Sequence, residues 1–581
     1  MKTKVLLLHC LLFLICLLFA SPLVAQDGFG FGFGDEVADG SSAGGGLGSF
    51  ISGASIHGDA AAKLQFYGKD FESGDTFKDI RLGEIFSGAL RFNASSSNAE
   101  GIINLNLIPN IEDPGNSFAL DEAYVRAFFG GFTLLGGFKK LTWGKADSLG
   151  PLDVINPFDY SDLSEMSDLQ SIKIARPLLH ASYQIGNFSK VEGVFVPWFE
   201  GHRFALGDDN RWTARQYREL PDLMEGRIRR MFLEYFTLSQ LRALSASGGS
   251  FGDEGMPEFK PPETYTLEYS QGGVRFTTTL GPADLGIQYY SGFLNRPAAG
   301  LNKRGIDTLR VAIADMAAKQ NAFDAAESGY AQAQAAYNQA QGAVFNANAA
   351  YAMNPSPVTV AALADATQAL ADAGSAVQNA GTVYRLAGLA LQRSGETLES
   401  AANTENLYTI QYNRFHQIGI DYAQVLFGFN IRSEFAATIT SDLSGDDGLT
   451  YNPSLAWSVG FDRDLIWGIN ANLQINESIR LLHYALGTDP LYEAEAGAHP
   501  TSTRLTLHLS RTFLQDRLEL KATTIWGMED MDVYFIPGLT WTAGDLTIEL
   551  SGGVFGGKDT KGELSQYHDN GFFRTLLTYS F

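Results

Sequence analysis

Phe573-Arg574-Thr575-Leu576-Leu577-Thr578-Tyr579-Ser580-Phe581 is the stretch on which the fold turns. Phe573, Thr575, Leu577, Tyr579 and Phe581 share one phase of a period of two, and Arg574, Leu576, Thr578 and Ser580 share the other. That period belongs to an extended strand, whose side chains alternate between faces. The pattern recurs upstream. Leu505, Leu507 and Leu509 alternate with Arg504, Thr506, His508 and Ser510, and Leu546, Ile548 and Leu550 with Thr547, Glu549 and Ser551. Ala471, Leu473 and Ile475 alternate with Asn470, Asn472, Gln474 and Asn476, and Ile103, Leu105 and Leu107 with Asn104 and Asn106. A strand with lipid on one side and water on the other requires this arrangement. The expected fold is an all-β transmembrane antiparallel barrel of about 18 strands, the even number of bacterial barrels.

The expected strand centres lie near residues 53, 88, 104, 124, 137, 181, 193, 275, 288, 420, 433, 459, 474, 507, 522, 536, 550 and 576. The first is the least defined, because Gly48 to Tyr67 holds room for one strand or two. Tight Gly/Pro/Asn/Asp connections occur at Phe129-Gly130-Gly131, Ile185-Gly186-Asn187, Gly281-Pro282-Ala283-Asp284, Leu426-Phe427-Gly428, Phe513-Leu514-Gln515-Asp516 and Thr542-Ala543-Gly544-Asp545. These are hairpin turns, and each follows an even-numbered strand. The long connections follow odd-numbered strands. Tight turns on the periplasmic rim and long loops outside are the expected layout, with both termini periplasmic. The ending also resembles the C-terminal strand of outer-membrane barrels, which implies outer-membrane lipid as surroundings and the barrel-insertion machinery as a partner through Phe581.

Composition narrows the classes further. The 581 residues carry 42 Lys+Arg against 65 Asp+Glu, a net charge of −23, which argues against a nucleic-acid partner. Residues 1–25 read as a signal peptide: Lys2 and Lys4, an apolar run from Val5 to Ala20, and Ala25 before the cleavage point. Cleavage removes Cys10 and Cys16, the only cysteines, and with them disulfide and thiol chemistry. Residues 26–47, with Gly28-Phe29-Gly30-Phe31-Gly32-Phe33-Gly34, read as a flexible tail. The barrel halves are then 48–298 and 406–581.

Residues 299–405 obey a different rule. Leu309, Met316, Phe323, Tyr330, Tyr337, Val344 and Tyr351 recur every seven residues, as do Leu363, Leu370, Val377, Tyr384, Leu391 and Leu398. A small residue follows most of them by three, as at Ala326, Ala333, Ala366 and Ala373. Sustained heptads predict helices wound together, and Met353-Asn354-Pro355-Ser356-Pro357 predicts the reversal. The insertion is therefore expected as an antiparallel coiled-coil hairpin with arms of roughly 65–70 Å. Strand parity puts it outside the cell as a mast for a surface partner. The competing placement is periplasmic, as a helical conduit in an envelope-spanning export assembly.

Trp143-Gly144-Lys145-Ala146-Asp147 and Asn156-Pro157-Phe158-Asp159, with Ala175-Arg176-Pro177 and Val196-Pro197-Trp198-Phe199 nearby, resemble porin-like outer-membrane proteins that carry Trp-Gly-x-x-Asp and Asn-Pro-x-Asp segments. The likeness covers roughly residues 120–205 and implies a large barrel of porin or exporter type passing small solutes, with no particular cargo. From the residues alone, Asn156-Pro157 is a turn and Trp143 an interfacial aromatic, in a loop folded on the rim. Asp147, Asp153, Asp159, Asp162, Glu165 and Asp168 make this loop acidic, without the ligand spacing of a calcium site. His180 and Ser182 share a strand face, yet nothing orients them as base and nucleophile. No catalytic residue, metal or cofactor is expected. Alternation assigns Arg91, Glu122, Arg126, Glu192, Arg275, Arg432, Glu434, Arg504, Glu519, Lys521, Glu549 and Arg574 to the lumen as pore-lining candidates. Tyr217 to Ser245 is expected as a loop helix, with Met224, Ile228, Met231 and Phe232 on one face.

Overall fold

Eighteen strands each find two neighbours, so the sheet has no edge. The computed structural model describes residues 54–69, 85–107, 118–166, 171–207, 210–237, 262–402 and 407–581. The expected signal (1–25) and tail (26–47), Asp168, and the side chains of Met224, Ile228, Met231 and Phe232 lie outside the described residues. The barrel strands are β1 (Ala54–Tyr67), β2 (Phe86–Ser95), β3 (Ala99–Leu107), β4 (Phe118–Phe129), β5 (Phe132–Lys139) and β6 (Arg176–Ile185). They continue as β7 (Ser189–Val196), β8 (Gln271–Leu280), β9 (Ala283–Phe293), β10 (Arg414–Leu426), β11 (Phe429–Thr440) and β12 (Ser454–Asp464). The last six are β13 (Asn470–Arg480), β14 (Thr501–Phe513), β15 (Leu518–Gly527), β16 (Asp532–Ala543), β17 (Leu546–Gly557) and β18 (Phe572–Ser580). Successive strands pair antiparallel, and β18 pairs with β1 from Ser580↔Asp59 to Phe572↔Tyr67, closing the 18-stranded barrel.

The alternation sorts side chains as a membrane barrel must. On β10, Gln417 and Asp421 turn inward and are buried, whereas Ile418 and Ile420 are each 52% exposed on the outside. Val125, Phe129, Leu179, Tyr183, Val274 and Ile287 continue this apolar outer band on β4, β6, β8 and β9. An even-stranded closed antiparallel barrel with an apolar exterior is an outer-membrane β-barrel.

Seventeen of the eighteen expected centres fall inside a strand. The first, at residue 53, lies outside the described residues, and Ala54–Tyr67 beside it is one continuous strand. All connections after even-numbered strands are short and share a rim with both ends of the sheet. Those after odd-numbered strands lie on the opposite rim. One departs from the expected length: β15 and β16 are joined by only Met528-Glu529-Asp530-Met531. Glu529 there accepts N–H and hydroxyl bonds from Thr503 on β14, so this turn is braced by the wall beside it.

The insertion is a helical hairpin of α2 (Lys303–Met353) and α3 (Pro357–Ala402); α1 (Arg215–Tyr235) precedes it in the β7–β8 connection. With 51 and 46 residues, the hairpin arms are about 77 and 69 Å long at 1.5 Å per residue. Asn302 caps α2 by accepting the N–H groups of Arg304 and Gly305. The contact between the arms rests on a set of residues the heptad pattern did not single out. Gly374, Gly381 and Gly388 lie under the rings of Tyr337, Tyr330 and Phe323, and Gly395 under Met316. Each large residue of α2 thus rests on bare α3 backbone. Tyr384 stacks on Tyr330 at 5.7 Å and meets Phe323 at 5.1 Å. At the root, Ala298–Leu301 pairs with Tyr408–Gln411. Ile306, Leu309, Ile313 and Leu398 bury themselves there against Leu491 and Phe236.

Only this root packs on the barrel's loops, and Phe323 and Gly388 face each other above it. Excising Asp324–Ala387 and joining the arms with a short glycine linker should leave the barrel intact. The check is heat-modifiable gel migration and β-type circular dichroism matching the full chain. Leu309→Ala, at the buried root, should instead destabilise the hairpin's attachment by about 2–5 kcal/mol.

Candidate functional site

The connection between β5 and β6 enters the barrel. Its two roots are locked by Asn156, fully buried, whose side-chain amide donates to Lys139 O (3.0 Å) and Ile174 O (2.8 Å) and accepts from Leu141 N (2.8 Å). A buried amide with donors and acceptor all used holds its position firmly. Pro157 O then accepts from Ile174 N at 2.8 Å. Trp143 is not at the membrane interface: it is 1% exposed, inside the barrel, edge-on to Tyr290 of β9 at 6.2 Å.

From these roots the loop crosses to the wall of β9 to β13 and is fastened through its backbone. Glu434 of β11 accepts N–H bonds from Lys145, Ala146 (2.7 Å) and Leu152 (3.2 Å). Gln474 of β13 accepts from Asp147 N (3.0 Å) and Ser148 N (2.9 Å). Gln288 and Gln417 donate to Leu152 O (3.0 Å) and Pro151 O (3.1 Å), and Arg432 pairs with Asp147. Two glycines make the approach close enough. Gly144, at φ +99°, faces Glu434 where a Cβ would collide, and Gly419 leaves the wall hollow that Leu152 fills.

The same loop then reaches the other side of the barrel. Tyr534 of β16 donates to Leu163 O at 3.0 Å, and Glu165 pairs with Arg574 of β18 (2.8 Å) and Lys63 of β1 (3.2 Å). Residues 140–166 therefore form a strap across the lumen. A second layer lies on it: Asp159–Tyr160 pairs in parallel with Arg203–Phe204 from the β7–β8 connection. His202 Nδ1 accepts from Phe158 N at 2.9 Å, so its proton belongs on Nε2. Arg211 covers the Tyr67 ring at 3.5 Å, and Trp212 packs on Phe555 and Tyr567. The expected helix at Tyr217 to Ser245 is α1, ending at Tyr235; residues 238–261 are outside the described set.

Between strap and wall lies a cavity of about 1230 Å³. Asn470, Asn472, Gln474 and Asn476 of β13 border it, with Thr506 and His508 of β14 and Thr523 of β15. Phe158, Tyr160, His202, Phe204 and Tyr217 border it from the loops.

Most of the residues the alternation picked out form ion pairs. Arg91 pairs with Asp59 (2.8 Å), Arg126 with Glu100 (3.3 Å), Glu122 with Lys139 (2.8 Å) and Arg275 with Asp421 (2.7 Å). Lys521 pairs with Glu549 (3.2 Å), Arg574 with Glu549 (3.4 Å) as well as Glu165, and Arg504 with Glu563. Of that set Glu434 and Arg504 border the large cavity. His180 and Ser182 do not form a dyad, because His180 meets Glu192 at 3.0 Å, and Lys190 meets the same carboxylate at 3.2 Å. The acidic loop residues are likewise engaged. Asp153 holds Lys173 at 2.6 Å, Asp159 accepts from Ser161, and Asp162 caps Ser164 N at 2.9 Å. Among the described residues no three His, Cys, Asp or Glu converge as metal ligands. Gln288, Gln417 and Gln474, which fasten the strap, were not singled out, although each sits at an inward position of its strand.

Burial sets the ionisation of the loop groups. Desolvation pushes Glu165 up, but Arg574 and then Lys63 outweigh it and hold the carboxyl below its ordinary value. Desolvation raises Asp153 despite Lys173, and it lowers His202 to about 3, helped by Arg176 and Arg296. His202 is therefore neutral at physiological pH.

No protein-family model matches the chain, and no curated protein sequence matches it. In fold it is similar to Wzi of Escherichia coli, a carbohydrate-binding outer-membrane β-barrel involved in group 1 capsule assembly (9% identity, covering 92% of this chain and 86% of that one, TM-score 0.38). It is similar as well to the outer-membrane channel DcaP of Acinetobacter baumannii (8% identity, 91% and 98% covered, TM-score 0.34). A third is OccK3 of Pseudomonas aeruginosa (8% identity, 92% and 98% covered, TM-score 0.39). At these identities the likeness concerns the barrel and carries nothing about cargo.

Two measurements check the strap. Glu434→Ala removes the acceptor of three backbone N–H groups, at about 1.5–3 kcal/mol per charge-assisted bond. Hydrogen exchange over residues 144–152 should speed up by at least tenfold. Because Glu165 is depressed in the folded chain, its ion pairs contribute fully at neutral pH and are lost as pH falls through that lowered value. The protection factor over residues 163–166, which is exchange relative to the intrinsic rate at each pH, should stay flat from about pH 7 to pH 5 and fall only in stronger acid. Glu165→Gln should remove that acid step.

Proposed function

We propose that this chain is an outer-membrane channel that passes small polar solutes by diffusion, narrowed by the strap. The observation that carries this reading is the cavity of about 1230 Å³, lined by amides and hydroxyls, that the strap leaves beside β13–β15 inside a closed barrel. A chain whose lumen served only to brace the wall would fill that space with side chains. The inward ion pairs give the remaining wall both signs of charge, so no net ion selectivity is assigned to it. Phe581 is the residue offered to the barrel-insertion machinery. In the usual layout the rim of short turns faces the periplasm, which puts the hairpin outside.

A second role alongside transport is favoured by the far end of the hairpin. Phe345, Met353 and Val358 are 74%, 83% and 76% exposed there, and Ser328 to Ala364 contains no Asp, Glu, Lys or Arg. Apolar side chains set in a long uncharged stretch of surface suit a contact with another protein.

Purified protein in planar bilayers should show steady ionic conductance; a silent membrane with correctly folded protein would overturn the channel reading. A single tag at Asn354 should label in intact cells. Labelling that appears only after outer-membrane permeabilisation would place the hairpin in the periplasm and favour an export assembly.

A further inference from the structure

The inward positions of β13 from Asn470 to Asn476 are all amides: Asn470, Asn472, Gln474 and Asn476. Alternate residues of a strand stand about 6.8 Å apart, so this is a ladder of about 20 Å along the cavity wall. Only part of it serves the fold. Gln474 fastens the strap, and Asn470 donates to Asp462 and Asp464 at 3.2 and 3.0 Å. Among the described residues, Asn472 and, opposite Gln474 on β14, Thr506 have no side-chain partner, and Asn476 engages only its carbonyl oxygen, toward Gln474 at 2.7 Å.

The loop side of the same cavity carries a row of rings. Phe158 lies 6.0 Å from Tyr160, Tyr160 stacks on Phe204 at 5.9 Å, and Phe204 lies 5.8 Å from Tyr217. The parallel pairing of Asp159–Tyr160 with Arg203–Phe204 holds this row, and His202 braces it at 5.1 Å from the Tyr160 ring. Lys173 Nζ lies 5.6 Å from the Phe158 ring at one end of the row and is paired with Asp153. Several charged groups on the cavity's border are paired within the chain: Arg480 and Arg296 with Glu495 (2.5 and 3.6 Å), Asp153 with Lys173 (2.6 Å), Asp147 with Arg432 and Arg504 with Glu563.

We propose that this cavity binds neutral, extended carbohydrate, with sugar rings lying on the aromatic row and hydroxyls held by the amide ladder. Each feature excludes another class. A hydrocarbon ligand would strand the free amides without partners, which is costly in a buried site. A strongly charged solute would meet a border on which most charges already have a partner of opposite sign. A sugar presents C–H faces that suit aromatic rings and vicinal hydroxyls that both donate and accept, as a carboxamide does. A ladder of about 20 Å is longer than one monosaccharide, which suits an extended chain of sugar units. The inference rests on the channel reading for access to the site, and binding can be measured without it.

The test uses the full chain in detergent and in planar bilayers, with maltohexaose and cellohexaose as probes and oligogalacturonate as the charged control. Calorimetry should show binding of at least one neutral hexamer and weaker or no binding of the acidic one. The same hexamer should interrupt the ionic current reversibly. Tyr160→Ala and, on the rigid strand, Asn472→Ala should each raise the dissociation constant and the half-blocking concentration about tenfold, as loss of one stacking or amide contact implies. Asn472→Ala guards against a Tyr160→Ala variant that merely loosens the loop. A conducting channel that neither neutral hexamer binds nor blocks overturns the carbohydrate inference and leaves the channel reading standing. Sugar binding by a protein that never conducts does the reverse. Equal binding of the acidic oligomer also overturns the inference, because it would mean the site does not discriminate by charge.

Discussion

Closure of the sheet is the constraint on which everything else depends. Inside hydrocarbon no backbone N–H or C=O finds water, so an open strand edge is forbidden. The seam between β1 and β18 removes it, continuing beyond the register to Gly58 N→Phe581 O at 2.9 Å and Phe581 N→Gly58 O at 2.8 Å. Gly58 has no side chain where the Phe581 ring passes, so the last residue of the chain completes the seam. Closing 18 strands has a second consequence. The circle is wider than side chains can fill from the wall, so the interior must be hydrated or occupied by inward-folded chain.

The strap resolves that second requirement with polar chemistry. A loop drawn into the lumen carries backbone groups that must be bonded somewhere. The wall supplies partners at its inward positions: Glu434, Gln474, Gln288 and Gln417 take the donors and acceptors of residues 145–152. Buried in this way, a wall carboxylate on three backbone donors costs less than one left alone. The lumen ion pairs follow the same rule. Arg275 and Asp421 are both nearly inaccessible and lie 2.7 Å apart, and either without the other would be a stranded charge. The mixed signs on the wall therefore belong first to the fold.

What the sequence made legible was whatever has a period. Strand alternation located β2 to β18, turn residues gave the parity of the connections, and heptads gave the two helices. The strap was invisible because its partners are far away in sequence: Lys145 to Glu434 spans 289 residues and Asp147 to Gln474 spans 327. Nothing local to Trp143 distinguishes a ring at a membrane surface from one buried against Tyr290. The glycines at 374, 381, 388 and 395 do recur every seven residues, yet the neighbouring alanines masked them, since Ala and Gly both read as small. Gln288 and Gln417 announced an inward face but not what they would hold.

The division of the lumen follows from where the strap is anchored. Its roots lie at β5 and β6, its near fastening at β9–β13 and its far one at β1, β16 and β18. The side enclosed by β5 to β11 is packed, with Trp143, Ile155, Leu178, Val196 and Tyr290 in one buried cluster. The remaining arc, around β13 to β15, borders the cavity. The asymmetry is therefore built in covalently, by a loop long enough to reach both walls from one side. In that arc Gln474 holds the strap, while Asn472 of β13 and Thr506 of β14 are left without a side-chain partner. A wall whose only task was to close the barrel would have no reason to leave Asn472 and Thr506 unused.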